Sequence, residues 1–525
     1  MGSWEIIFIL LFAAVLLIGI AQKIQIPYPI ILVLGGTVLG FIPVLQTINL
    51  DSNVILLLFL PPILYYASFG IDFREFQKNW REIFSLALGL VVFTTLLVGI
   101  LFKWMFPEFS WALCFAFGAI ISPPDAIAAT TILKRFAISP RLVALLEGES
   151  LINDASAIVL YKLALTALLS GTFSLMDGGK EFLQAVIGGI MVGFALGFLL
   201  QYFSKNYLSP ILGVVFSFTI PYITFIIATY LEVSGVLAVV VNGLIGSRIL
   251  YTHHSSLRRV LGFAAWDIFI ILLNCFVFIL IGLQLGAITQ MLTAKQMLLY
   301  VGYALLIALS MVIARLAWVY ARVAITYITA LKAKKTARLA PQMIREAAII
   351  AWSGMRGIVS LALAISLPYS LSQDGMPLEG RNEVIFITFF VILATLLVPG
   401  LSLPLLIRSL KIHSVSEKNE EKKVREQLEA AVNHKLHALL NADHINKEEY
   451  EFLRHYFHSH SRILEIAHSS EQEIKSIELA RRKVIEAQRK AIFEMWKQEE
   501  INDRTLMHFE NELDVIEIHI ARAEL

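Results

Sequence analysis

Thirteen apolar stretches, at roughly 4–20, 28–45, 53–69, 83–105, 111–133, 142–169, 182–204, 210–231, 234–247, 264–288, 297–322, 345–368 and 384–407, constrain this chain more than any motif in it. A bilayer core takes about 20 apolar residues as a helix. Lipid offers backbone polar groups no partner, so each crossing segment must satisfy its own hydrogen bonds. The expected fold is therefore an all-α membrane domain of about 13 transmembrane helices. Composition agrees: charged residues make up 16% of the 525, against about 25% in soluble domains. The first stretch lacks a basic flank and a small-residue cleavage site, and reads as a membrane helix rather than a leader. Cys114 and Cys275 both lie in apolar segments and suggest neither a disulfide framework nor a zinc site.

Loop charges orient the segments. With the N-terminus outside, the alternate loops hold Lys23; Arg74, Lys78 and Arg81; Lys134, Arg135 and Arg141; Lys205; Arg248, Arg258 and Arg259; and Lys332, Lys334, Lys335, Arg338 and Arg345. The opposite loops and helix ends hold Lys103, Lys180, Lys295 and Arg381. This positive-inside bias places the C-terminus in the cytoplasm. After about residue 410 the composition turns to Glu, Lys, Arg, Gln and His, with apolar residues at helical spacing. Residues 1–410 are thus expected to form the membrane domain and 411–525 a helical cytoplasmic tail.

Ionisable groups inside the spans are expensive and mark function. In the fifth span, GAIISPPDAIAATTIL, Pro123 and Pro124 must break the helix. A break at membrane depth lines protein or a cavity. Asp125 follows, placed either to cap the second half-helix or to offer an oxygen ligand. In the sixth span, LLEGESLINDASAIVLYKLAL, Glu149, Ser150, Asn153 and Asp154 cluster. Positions 150 and 154 share one helix face, and 149 and 153 the next. Counting from Arg141, Asp154 lies roughly 18 Å deep. In the twelfth span, AAIIAWSGMRGIVSLALAISLP, Arg356 sits between Gly354 and Gly357, again roughly 15 Å deep, where a second break is expected. The fifth and twelfth spans run in opposite directions. Interruptions at matching places in oppositely oriented repeats point to a transport site. Asp267 and Arg315, near the cytoplasmic ends of the tenth and eleventh spans, are expected to form a structural ion pair. All twelve histidines lie outside the spans, so a proton crossing the membrane must ride on a carboxylate. A carboxylate that takes either a proton or a small hard cation exchanges one for the other if only loaded sites cross.

These residues resemble the monovalent cation–proton antiporter family, in its NhaP/NHE branch. GESLINDASAIVLY is similar to the branch's sixth-helix signature, SPPDAIAA to its broken fifth helix, and WSGMRGIVSLALA to its twelfth. LEVSGVLAVVVNGLIGS and NCFVFILIGLQL, with Asn274, also fit the pattern, and the resemblance covers about residues 5–408. It implies two inverted repeats, two broken crossing helices, a core and a dimerisation subdomain, and a homodimer. It implies a cation, Na+ above all, held by Asp154 with Glu149, Ser150 and an oxygen of the Pro124–Asp125 region, while Asn153 ties the broken helices. Asparagine rather than a second aspartate at 153 implies one Na+ for one H+. The resemblance further implies a multi-pass plasma-membrane transporter rather than an enzyme, without cofactor or nucleic-acid partner.

Two departures stand out. The family's Thr-Asp-Pro is here Pro124-Asp125-Ala126, which removes a hydroxyl ligand. A third-helix glutamate that partners the arginine in some relatives is here Tyr66, so Arg356 must pair elsewhere, with Glu149 as the candidate. K+–H+ antiport therefore stays open, as does a membrane sensor or channel with the tail as output. In the tail, His455, His458 and His460 are candidates for sensing pH.

Overall fold

In the computed structural model, the described backbone covers residues 3–24, 27–42, 52–133, 136, 138–170, 175–253, 255–289, 292–332, 341–368, 370, 378–410, 416–459 and 471–522. Nearly all of it is helical. Each apolar stretch coincides with one helix or with a pair of helices in line. In order these are α1 (Ser3–Lys23), α2 (Tyr28–Gly40), α3 (Ser52–Phe69), α4 (Phe73–Phe84) running through a π-helical turn at Ser85–Leu90 into α5 (Val91–Met105), α6 (Trp111–Ile121) and α7 (Ala126–Leu133). There follow α8 (Pro140–Ser170), α9 (Leu175–Tyr207), α10 (Pro210–Tyr230), α11 (Gly235–His253), α12 (Ser256–Thr289), α13 (Ala294–Lys332), α14 (Pro341–Trp352), α15 (Ile358–Ile365) and α16 (Arg381–Leu410). Among the described residues, seven helical segments are long and apolar enough to cross a membrane on their own, and the others are shorter apolar helices.

The two interruptions fall where the sequence places them. α6 stops at Ile121, before Pro123 and Pro124, and residues 122–125 are non-helical before α7. α14 stops at Trp352, and residues 354–357, bounded by glycines, are non-helical before α15. Both loosened segments are buried.

The helices sort into two packed groups. One comprises α1–α3 and α9–α12; the other comprises α4–α8 and α13–α16. In the first group backbones touch. A Cβ at Gly40 would lie 2.9 Å from the Leu283 carbonyl oxygen, one at Gly36 would strike Ile279, and Gly282 faces Val33 and Thr37 in return. α9 meets α11 in the same way through Gly189, Gly193 and Gly197, against Ser234, Ala238 and Asn242. Small residues at such seams let helices approach closely where lipid gives no hydrophobic drive for association. The second group also has such a contact, Gly118 of α6 against the Thr95 main chain of α5, and is tied further by polar links. Arg141 of α8 donates to Asn79 (3.1 Å) and Glu82 (2.8 Å) of α4 and to Glu346 (3.2 Å) of α14. Ser156 of α8 donates to the Ala87 carbonyl at 2.6 Å.

The tail folds as α17 (Ser416–Asn441), α18 (Lys447–Ser459), α19 (Glu471–Lys497) and α20 (Asp503–Arg522) around two small apolar cores.

Candidate functional site

The site forms where the two interruptions meet beside α8. An interrupted helix exposes unpaired carbonyls at its C-terminal end and unpaired N–H groups at its N-terminal end. Here the chain satisfies them across the gap. The Asp125 N–H donates to the Met355 carbonyl at 2.7 Å, which stitches one break to the other. Arg356 is 2% exposed, and among the described residues no carboxylate hydrogen-bonds or ion-pairs with it. Its Nε donates to the Ile121 carbonyl, the last of α6, at 2.8 Å, and its Nη1 to the Gly354 carbonyl at 2.6 Å. Its own N–H is received by the Thr395 hydroxyl of α16 at 3.2 Å. The guanidinium thus sits at the negative end of α6.

The complementary charge stands at the other end of the gap. Gly357 occupies the N-cap position of α15 and has no side chain to accept the free N–H groups behind it. The space a Cβ would fill there is taken by the Asp125 carboxylate, whose Cγ would lie 2.6 Å away. The Asp125 carboxylate, supplied from the opposite broken helix, therefore lies beside the N-terminus of α15, in favourable alignment with its positive end.

α8 brings the third set of groups. Asn153, fully buried, donates from Nδ2 to the Pro124 carbonyl at 2.9 Å. It ties α8 to the first break, and the breaks tie to each other directly. The Pro124 oxygen retains a second lone pair. Glu149, 1% exposed, receives both arms of the Arg315 guanidinium, Nη2 to Oε2 at 2.6 Å and Nη1 to Oε1. Arg315 Nε donates to the Ile350 carbonyl at 3.0 Å, near the end of α14. Ser150 is half-buried beside them.

Asp154 differs from its neighbours. It is 8% exposed, and among the described residues no hydrogen bond or ion pair engages its carboxylate. It lies within electrostatic reach of Asp125.

Several expectations are corrected here. The pair foreseen between Asp267 and Arg315 does not form. Asp267 on α12 accepts a 2.5 Å hydrogen bond from the Tyr66 hydroxyl, while Arg315 on α13 reaches Glu149. Arg356 pairs with backbone carbonyls rather than with Glu149, because Arg315 already occupies both oxygens of that carboxylate. Glu149, expected among the cation ligands, is for the same reason placed in a structural ion pair. In the tail His455 is exposed, while the His458 side chain and all of His460 lie outside the described residues. Thr395 went unnoticed in the sequence, because a hydroxyl in an apolar helix carries no signal of its own.

The family model for the transmembrane sodium/hydrogen exchanger matches residues 8–409. The chain belongs to the sodium/hydrogen exchanger family. An uncharacterised Na+/H+ exchanger of Mycobacterium bovis is 33% identical over 393 residues, 74% of this chain and 71% of that protein. The sodium, potassium, lithium and rubidium/H+ antiporter of Bacillus pumilus is 30% identical over 429 residues, 79% of this chain and 61% of its own length. The fold is that of the sodium proton antiporter MjNhaP1 from Methanocaldococcus jannaschii, with a TM-score of 0.60 at 21% identity over 78% of this chain and 98% of that one. In this exchanger, then, paired broken helices and a buried acid sit within an antiporter fold.

Proposed function

We propose that this exchanger carries a monovalent cation, Na+ or Li+, in one direction and H+ in the other, with Asp154 as the shared carrier. The observation that carries the reading is the charge balance of the buried cluster. Around the two breaks stand two guanidinium groups, Arg315 and Arg356, and three carboxylates, Glu149, Asp125 and Asp154. Arg315 and Glu149 cancel each other, and Arg356 offsets Asp125 across the gap. One negative charge is left over, on the one acid without a partner among the described residues. An uncompensated buried charge is costly, and either a proton or a monovalent cation removes the cost equally. Both loaded forms are neutral and can cross, whereas the empty form is held back. This supports exchange of one cation for one proton without net charge.

The remaining oxygens near the carrier, Ser150 and the free lone pair of Pro124, are hard ligands of the kind small cations take. K+ is the second reading. The altered Pro124-Asp125-Ala126 sequence removes a hydroxyl ligand, and the Bacillus pumilus relative is named for potassium as well as sodium. Alternating access would move the group holding the breaks against the glycine-seamed group, in a homodimer of the plasma membrane with the N-terminus outside and about 13 crossings.

The test is cation-driven proton flux in liposomes, read with a pH dye under a clamped membrane potential. Flux that ignores the clamp and disappears in Asp154→Asn is expected. Flux that persists in Asp154→Asn overturns the assignment. Running Na+, Li+ and K+ side by side settles the cation.

A further inference from the structure

The hairpin of α19 and α20 grips the membrane domain at two places, and these belong to different helix groups. One grip is on the start of α4. The Arg74 N–H donates to Asp503 Oδ2 at 3.2 Å, and Arg74 Nη1 donates to the Ile501 carbonyl at 3.2 Å. The same guanidinium stacks 4.5 Å over Trp496, whose Nε1 donates to Asp503 Oδ1 at 2.5 Å. The other grip is on the start of α12. Arg259 Nε donates to Asp514 Oδ2 at 2.6 Å, and Glu510 stands 3.5 Å from Arg259 Nη2. Arg489 of α19 completes the cluster through Glu510, Asp514 at 2.5 Å and Glu517 at 2.8 Å, and donates to Ser256 Oγ of α12 at 3.0 Å. Asp514 is fully buried and the Arg259 side chain 5% exposed.

Each grip reaches deep into its own group. α4 packs on α8, where Phe76 and Ile83 lie against Gly148, one residue before Glu149 and six before Asp154. α12 is seamed to α2 through backbone contact. A hold on Arg74 is thus a hold on the carrier-bearing group, and a hold on Arg259 is a hold on the other.

We infer that the α19–α20 hairpin is a brace across the two helix groups, which restrains their relative movement and slows exchange until one grip lets go. The inference rests on the antiport reading, in which the groups move against each other. The Arg74 grip is the release point. It consists of one main-chain N–H on the Asp503 carboxylate and a half-buried guanidinium on a carbonyl and a ring, whereas the Arg259 grip is a buried ion cluster. Because a brace fails when either end fails, releasing both ends gains nothing over releasing one.

The experiment compares full-length wild type, Arg74→Ala, Arg259→Ala and the double variant in the liposome flux assay, with Asp154→Asn as the transport-dead control. Hydrogen exchange of α19 amides shows whether the tail stays folded. A charge-assisted contact set is expected to hold the rate down about tenfold. Arg74→Ala, with α19 still protected, should therefore run about tenfold faster at unchanged half-saturating cation, and the double variant no faster than the better single. Asp154-dependent flux that neither single variant accelerates, or gains that multiply in the double variant, overturn the brace while leaving the antiport reading intact. If Arg259→Ala unfolds the tail, its rate must still match that of Arg74→Ala, and a slower rate counts against the brace. Flux absent from wild type and both single variants alike overturns the antiport reading and the brace with it.

Discussion

Replacing Glu149 separates two roles that one-dimensional reasoning cannot distinguish, ligand for the transported cation and structural partner of Arg315. The structure favours the second. Both oxygens are engaged by a guanidinium whose side chain is 3% exposed, against 1% for Glu149 itself. Removing one member of such a pair strands the other, at a cost of about 3–5 kcal/mol. Glu149→Leu should therefore destabilise by that amount. Glu149→Gln, which keeps one acceptor, should fall near about 3 kcal/mol. The double replacement Glu149→Leu with Arg315→Met removes both charges. It should retain a deficit of only about 1 kcal/mol, for the lost hydrogen bond from Arg315 Nε to the Ile350 carbonyl. The assay is thermal unfolding of the purified protein followed by intrinsic fluorescence, with flux measured on the same preparations. Glu149→Gln is expected to lower the apparent Tm by about 3 °C, and the double variant to recover most of that loss. If Glu149→Gln unfolds at the parent temperature while its half-saturating cation concentration rises, Glu149 is a ligand and the structural account is wrong.

Gly357→Ala places a Cβ where the Asp125 carboxylate meets the N-terminus of α15; flux should fall to less than about a tenth of the parent, and unchanged flux would show that Asp125 does not sit at that helix end. The tail's hold should weaken as pH rises. Burial keeps Asp72 above its ordinary 3.8, and Asp503 and Glu75 facing it add to the effect against the hydrogen bond from the Glu75 N–H. Burial likewise keeps Glu510 above 4.5 despite Arg489 and Arg259, with Asp514 adding to it. Docking brings Asp503 against Asp72 and raises the Asp72 value further, so docking is strongest below the ordinary Asp72 value and declines as pH climbs through it toward the raised one. Hydrogen exchange of α20, corrected for intrinsic rate, should show falling protection along that rise, and constant or rising protection would refute the coupling.

Much of this was legible in the sequence because the relevant physics is local. Apolar length located the helices, Pro123 and Pro124 located one break, and the glycines around Arg356 the other. Depth counted from Arg141 brought Asp154 to the region of both breaks. Neighbours across helices were not legible. Depth along an axis says nothing about which way a side chain faces. Asp267 and Arg315, near the same ends of consecutive spans, looked like partners, yet one turns to Tyr66 on α3 and the other to Glu149 on α8. Arg259 was counted among the loop charges that orient the chain, and nothing in its surroundings announced that Asp514, 255 residues later, would bury it.

The glycine seams carry a last consequence. Where Gly36, Gly40 and Gly282 bring α2 and α12 into main-chain contact, no rotamer is available to yield under load, so this joint is effectively welded. Compliance must then come from where side chains cushion one helix against another. The welded half behaves as a chassis, and thermal motion is steered toward the cushioned boundary along which the half holding Asp154 can ride.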